Sequence, residues 1–154
     1  MNKLRGFESV SLVSLKDSID YILPFRGSSK SAGYYFASPV EITIAPKSKK
    51  LIWTNIKSYM QEGEVLMLYV RSSIGIKKGL RLANTTGIID MDYYNNPANE
   101  GNIGICLYND NDTEVTIEKG ERIAQGIFTT FLVADNGNTD AERNGGIGST
   151  NESK

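Results

Sequence analysis

The chain has 154 residues, 40% of them hydrophobic and 23% charged, which suits one soluble globular domain and is short for two. A formal net charge of −1 argues against duplex DNA or another extended polyanion as partner, while leaving room for a local basic cluster on a small phosphorylated ligand. With no histidine and one cysteine, the chain excludes an internal disulfide, a Cys-rich zinc centre and histidine general-base chemistry.

The N-terminal MNKLRGFESVSL lacks the apolar stretch of a signal peptide, and no segment approaches membrane-spanning length, so a cytoplasmic protein is expected. Helical periodicity is scarce. Val40, Ile42 and Ile44 alternate with Glu41 and Thr43, the pattern of a strand with one buried face. Residues 50–53 predict a second strand and 57–61 a short helical turn. Residues 65–70 are nearly all apolar, as in a strand covered on both faces. Residues 80–90 read as a strand running into a hairpin. Ile103, Ile105 and Leu107 alternate again, with Cys106 between them as a strand position rather than a reactive thiol. Val115 and Ile117 mark another strand, and residues 121–133 a last long one, bent at Gly126. The sum is an all-β barrel or sandwich of short antiparallel strands occupying residues 1–134.

Residues 135–154 differ. Large apolar side chains nearly vanish, so burial cannot offset the entropy of ordering, and a mobile tail is expected. Yet Arg143-Asn144-Gly145-Gly146-Ile147-Gly148-Ser149-Thr150 gathers a guanidinium, glycine backbone and two hydroxyls, all donors suited to phosphate. Composition alone favours a plain disordered tail over a ligand-closing arm, since Gly/Ser-rich tails are common.

Three further motifs could carry chemistry. Arg71-Ser72-Ser73-Ile74-Gly75 places a guanidinium, two hydroxyls and flexible backbone at the end of the apolar strand, which suits an oligophosphate as well as a surface turn. In Asn84-Thr85-Thr86-Gly87-Ile88-Ile89-Asp90-Met91-Asp92-Tyr93, Gly87 allows a tight turn or a close approach. Asp90, between Ile89 and Met91, would be a better base for water if its strand were half-buried. Gly120-Glu121-Arg122-Ile123-Ala124-Gln125 opens the last strand with a charge and a polar group in need of a partner.

Together with Ser31-Ala32-Gly33-Tyr34, these motifs resemble, in order, the five motifs of the trimeric dUTP diphosphohydrolase (dUTPase) family, across almost the whole chain. The resemblance implies a compact jelly-roll-like barrel with a mobile C-terminal arm, a homotrimer with shared active sites, and hydrolysis of dUTP to dUMP and pyrophosphate. It implies that Asn84, Gly87, Ile88 and Ile89 read the uracil, that Tyr93 lies under the deoxyribose, and that Asp90 deprotonates a water attacking the α-phosphate. Arg71, Ser72, Ser73 and Gly75 would serve the phosphates, with Gln125 on a phosphate or a metal-bound water. Arg143, Ile147, Gly148, Ser149 and Thr150 would close over the ligand. Mg²⁺ would ride mainly on phosphate and water oxygens, with no direct protein ligand.

Three positions depart from the family pattern. Tyr35 stands for an aspartate, Ile147 for a phenylalanine and Asn151 for a glycine. The first puts metal handling in question, and with it arises an alternative: a catalytically weakened, deoxyuridine-nucleotide-binding regulatory protein of the same fold. The related dCTP deaminases need a glutamate that residues 104–109 (GICLYN) do not supply.

Overall fold

The computed structural model describes residues 2–148 and Thr150. Twelve strands form in chain order: β1 (Gly6–Ser9), β2 (Phe25–Arg26), β3 (Tyr34–Ala37), β4 (Ile42–Ile44), β5 (Lys49–Trp53), β6 (Ile56–Tyr59), β7 (Glu64–Val70), β8 (Leu80–Leu82), β9 (Gly87–Asp90), β10 (Gly104–Asn109), β11 (Val115–Ile117) and β12 (Arg122–Thr130). Among the described residues a single α-helix, α1 (Ser72–Lys77), forms, directly after Arg71 at the end of β7. The largest sheet runs β2-β3-β12-β7-β9; β5-β10-β8 forms a second, and β1-β6 and β11-β4 pair separately. The all-β class holds, with the sheets packed on one another rather than closed into one continuous ladder.

Alternation explains the core. In β10, Ile105, Leu107 and Asn109 are buried while the residues between them are only half-covered. Ile44, Ile52, Leu66, Leu107 and Ile123 then meet Phe36 and Ile117 in one cluster. Gly126 lies within this packing: a Cβ there would meet Leu66 Cδ1 at 2.9 Å and Phe36 Cε2 at 3.0 Å. It therefore serves close approach and not the expected bend; the register shift of β12 falls between Arg122 and Ala124.

Other expectations are corrected. Residues 57–61 are not a helical turn, because β6 runs through Tyr59 and pairs with β1. Residues 80–90 are not one strand leading into a laddered hairpin: β8 pairs with β10 and β9 with β7, in different sheets. The chain turns that corner through Thr85, whose φ of 68° is unusual for a β-branched residue and is held by Thr85 N–H donating to Leu82 O (3.0 Å). Residues 71–75 are not an open turn either, since Ile74 and Gly75 N–H both donate to Arg71 O and start α1. After Thr130 no strand or α-helix forms among the described residues.

Candidate active site

The corner between β8 and β9 opens a cavity of about 490 Å³. Asn84, Gly87, Ile88, Ile89, Asp90 and Tyr93 line it from the corner and strand, Arg143, Gly146, Ile147, Gly148 and Thr150 from the C-terminal segment, and Leu51 and Cys106 from the second sheet. Ser149 and Asn151 lie outside the described residues.

β9 ends its sheet, so only one of its edges is in a ladder with β7. The other row of backbone N–H and C=O groups is open among the described residues, a ready edge for an amide-like ring. The strand can lie this close to β7 because residue 87 is glycine: a Cβ there would meet Leu68 Cβ at 2.9 Å. Ile88 remains 61% exposed on this edge. The Asn84 side chain has no hydrogen-bond partner among the described residues.

Tyr93, 6% exposed, belongs both to the core cluster and to the cavity wall. Its hydroxyl donates to Asn102 O (2.6 Å) and accepts from Asn99 Nδ2 (2.9 Å), and Asn96 Nδ2 donates to Tyr93 O (2.8 Å). Burial pushes the phenol pKa up. Sequence reasoning missed these asparagines. The run NNPANEGN (residues 95–102) carries the composition of a solvent loop, yet Asn96, Asn99 and Asn102 are buried behind Tyr93. Their three-residue spacing was the available signal.

Asp90 is not desolvated by its strand, contrary to the expectation for a half-buried base: its side chain is 51% exposed. Its electrostatics come from the C-terminal segment instead. Arg143, only 10% exposed, donates through Nη2 to Asp90 Oδ2 (2.7 Å) and through Nε to Asp92 Oδ1 (2.9 Å). Its guanidinium stands 5.6 Å from the Tyr93 ring centroid.

A second cleft gathers Tyr35, Arg71, Ser72, Ser73, Lys77 and Gln125. Its frame is the register row Phe25–Tyr35–Gln125 across β2, β3 and β12. Gly33 makes room for Gln125, whose Oε1 would lie 2.5 Å from a Cβ there, so the first and fourth motifs meet. Gly75 is set back from the cleft against Val70 Cγ1. The Ser72 and Ser73 hydroxyls make no hydrogen bond within the chain among the described residues. No residue lines both cleft and cavity.

Among the described residues there is no group of three or more His, Cys, Asp or Glu able to hold a metal. The cleft offers hydroxyls, an amide and cations, a set that fits a divalent ion carried by phosphate oxygens and water, with Gln125 as an outer partner. Among the described residues no helix is long and apolar enough to cross a membrane.

The dUTPase family model matches residues 20–151. The chain is 49% identical over 150 residues to the deoxyuridine 5'-triphosphate nucleotidohydrolase of Lactococcus lactis, covering 96% of this chain and 98% of that protein. Its counterpart in Mus musculus is 31% identical over 153 residues, covering 96% and 90%. The crystal structure of dUTPase from Streptococcus mutans superposes with a TM-score of 0.75 at 43% identity, covering 85% of this chain and 99% of that one.

Proposed function

Because the chain belongs to the dUTPase family and is a dUTP diphosphatase, hydrolysing dUTP to dUMP and pyrophosphate, we propose how its residues divide that work. The open edge of β9, facing a cavity with Asp90 at its rim, carries the reading. Uracil presents an acceptor–donor–acceptor edge that the free backbone groups of Gly87, Ile88 and Ile89 can match, with Asn84 completing the set. Cytosine reverses part of that pattern and would leave buried groups unpaired, at about 1–3 kcal/mol each. Tyr93, locked by Asn99 and Asn102, supplies a rigid wall for the deoxyribose.

Asp90 takes the proton of the attacking water. The water oxygen bonds to the α-phosphorus while the bond to the α–β bridging oxygen breaks, and pyrophosphate leaves. Arg71, Ser72, Ser73 and Gln125 hold the phosphates from the second cleft. These residues would leave room for a divalent ion, for which we propose Mg²⁺, carried by the phosphates with Gln125 as an outer partner; when bound it would offset charge on the leaving group. In the single chain Arg143 is engaged with Asp90 and Asp92. On ligand binding it moves to the terminal phosphate, freeing the base, while Ile147, Gly148, Ser149 and Thr150 cover the nucleotide. Residues 135–154 thus act as an arm on a domain of residues 1–134. Cleft and cavity share no lining residue, which suits a site completed by another copy, and we take the assembly to be a homotrimer.

No observation favours the regulatory alternative over hydrolysis. Pyrophosphate release with Mg²⁺ tests the assignment: dUTP should turn over far faster than dCTP, dTTP or UTP. Comparable rates for all four would remove the uracil-reading role from β9.

A further inference from the structure

Tyr35 replaces the aspartate expected from the first motif, and its surroundings explain what a ring does there. Its centroid lies 5.2 Å from the Arg71 guanidinium and 5.2 Å from that of Arg122. Phe25 packs against the ring at 5.9 Å with a 73° interplanar angle and itself lies 5.1 Å from Arg122. Gly27 leaves the space the ring uses, because a Cβ there would meet Tyr35 Cε2 at 2.8 Å. Neither arginine has a carboxylate partner among the described residues, and Glu121, the neighbour of Arg122, is engaged by Lys78 at 2.6 Å.

The charge balance differs from that of an acidic site. An aspartate beside these arginines would consume guanidinium donors and cancel one positive charge. An aromatic face attracts a guanidinium through its quadrupole, leaving the in-plane N–H groups and the full charge available. With Lys77 and Arg71 lining the cleft and Arg122 beside it, the ring holds a cationic cradle that it does not neutralise.

We propose that Tyr35 is a positioning residue that aims Arg71 and Arg122 at the oligophosphate, so that this cleft binds a pyrophosphate group by fixed positive charge whether or not the phosphates carry a metal ion. The proposal rests on the assignment of this cleft to the phosphates of dUTP. It also makes Arg122, absent from the expected site residues, a phosphate-side group.

The test is calorimetric titration of the full-length protein with inorganic pyrophosphate in EDTA and again with Mg²⁺, for wild type, Y35F, Y35L and Y35D. Wild type binds in EDTA, and Y35F stays within about twofold because the ring remains. Y35L weakens binding about 5- to 10-fold by loosening two guanidiniums. Y35D weakens it further in EDTA and recovers most of the loss with Mg²⁺. In turnover of dUTP, Y35L raises KM more than it lowers kcat. Equal affinity of Y35L and wild type in EDTA would overturn the proposal. If Y35L does not fold, Y35D matching Y35F in EDTA would overturn it instead. Pyrophosphate binding that depends on Tyr35, together with a KM for dUTP that Y35L leaves unchanged, would instead sink the assignment of this cleft to the phosphates of dUTP.

Discussion

The cavity under β9 and the cleft around Tyr35 are built on opposite principles. The first is fixed by backbone and by satisfied, buried polar groups: an edge strand pressed on β7, and a tyrosine whose hydroxyl is bonded on both sides by asparagine loop groups. The second consists of long cationic side chains and of serine hydroxyls at the start of α1 that are unpartnered among the described residues, with aromatic rings set against two of the guanidiniums. Discriminating one pyrimidine from another depends on donors and acceptors that cannot re-aim, whereas a triphosphate is held by charge that tolerates small shifts. Rigidity is concentrated where the base is read.

The sharpest test of the first region is to remove the one group on its rim that performs chemistry. Asp90→Asn keeps the size and the open edge of β9 but abolishes the base. We expect kcat for dUTP to fall roughly 10²–10⁴-fold. Affinity for a non-hydrolysable dUTP analogue should change little, because the Arg143 contact that is lost is one that ligand binding breaks in any case. Single-turnover rates together with calorimetric affinity check this, and a variant with near-normal kcat would take Asp90 out of its role.

Gly87→Ala attacks the rigid half alone. The new methyl would sit 2.9 Å from Leu68 Cβ, an atom next to backbone that cannot swing away, so β9 must lift off β7. We expect about 1–3 kcal/mol of lost stability and a roughly tenfold rise in KM for dUTP, with pyrophosphate affinity in the Tyr35 cleft unchanged. If pyrophosphate binding fell in parallel, the two halves would be mechanically coupled and the contrast would fail.

How much of this was legible in the sequence follows the same division. Alternation located β4, β10 and β11, whose side-chain period shows a buried face, and runs of apolar or β-favouring residues located β5, β7 and β12. It failed for residues 57–61, where Lys57 and Ser58 are buried polar residues that break the apolar pattern of β6. The short strands β2 and β3 left no periodic trace. Motif order pointed to Asn84, Gly87, Asp90, Tyr93 and Arg71, and the structure brings each to a cavity or cleft wall. The support of Tyr93 was illegible because asparagine in a loop has the same composition whether it bonds water or a buried phenol. The pairing of Arg143 with Asp90 and Asp92 depends on how the C-terminal segment lies, which no local pattern encodes.

The smallest expected effect probes the foundation of the rigid half. Glu100 sits in the loop that carries Asn99 and Asn102, at a left-handed φ of 62°, and accepts from Lys57 Nζ (2.7 Å) and from Ser11 N–H and Oγ–H. Burial alone would raise its carboxyl pKa, but Lys57, Ser11 and Ser14 outweigh that and hold it at about 2. A folded-state pKa below the unfolded one stabilises the protein above the unfolded value, about 4.3, and that contribution is lost as pH falls toward 2. Glu100→Gln should therefore cost roughly 1–2 kcal/mol at pH 7, a figure already reduced for solvent screening. The gap from wild type should begin to narrow below about pH 4 and fall to roughly half by pH 3, closing only as pH passes below the folded value. Urea unfolding at pH 7, 5 and 3 measures it. A gap that stays constant across this range would mean that the carboxylate's charge contributes nothing, and that the loop behind Tyr93 is held by its asparagines alone.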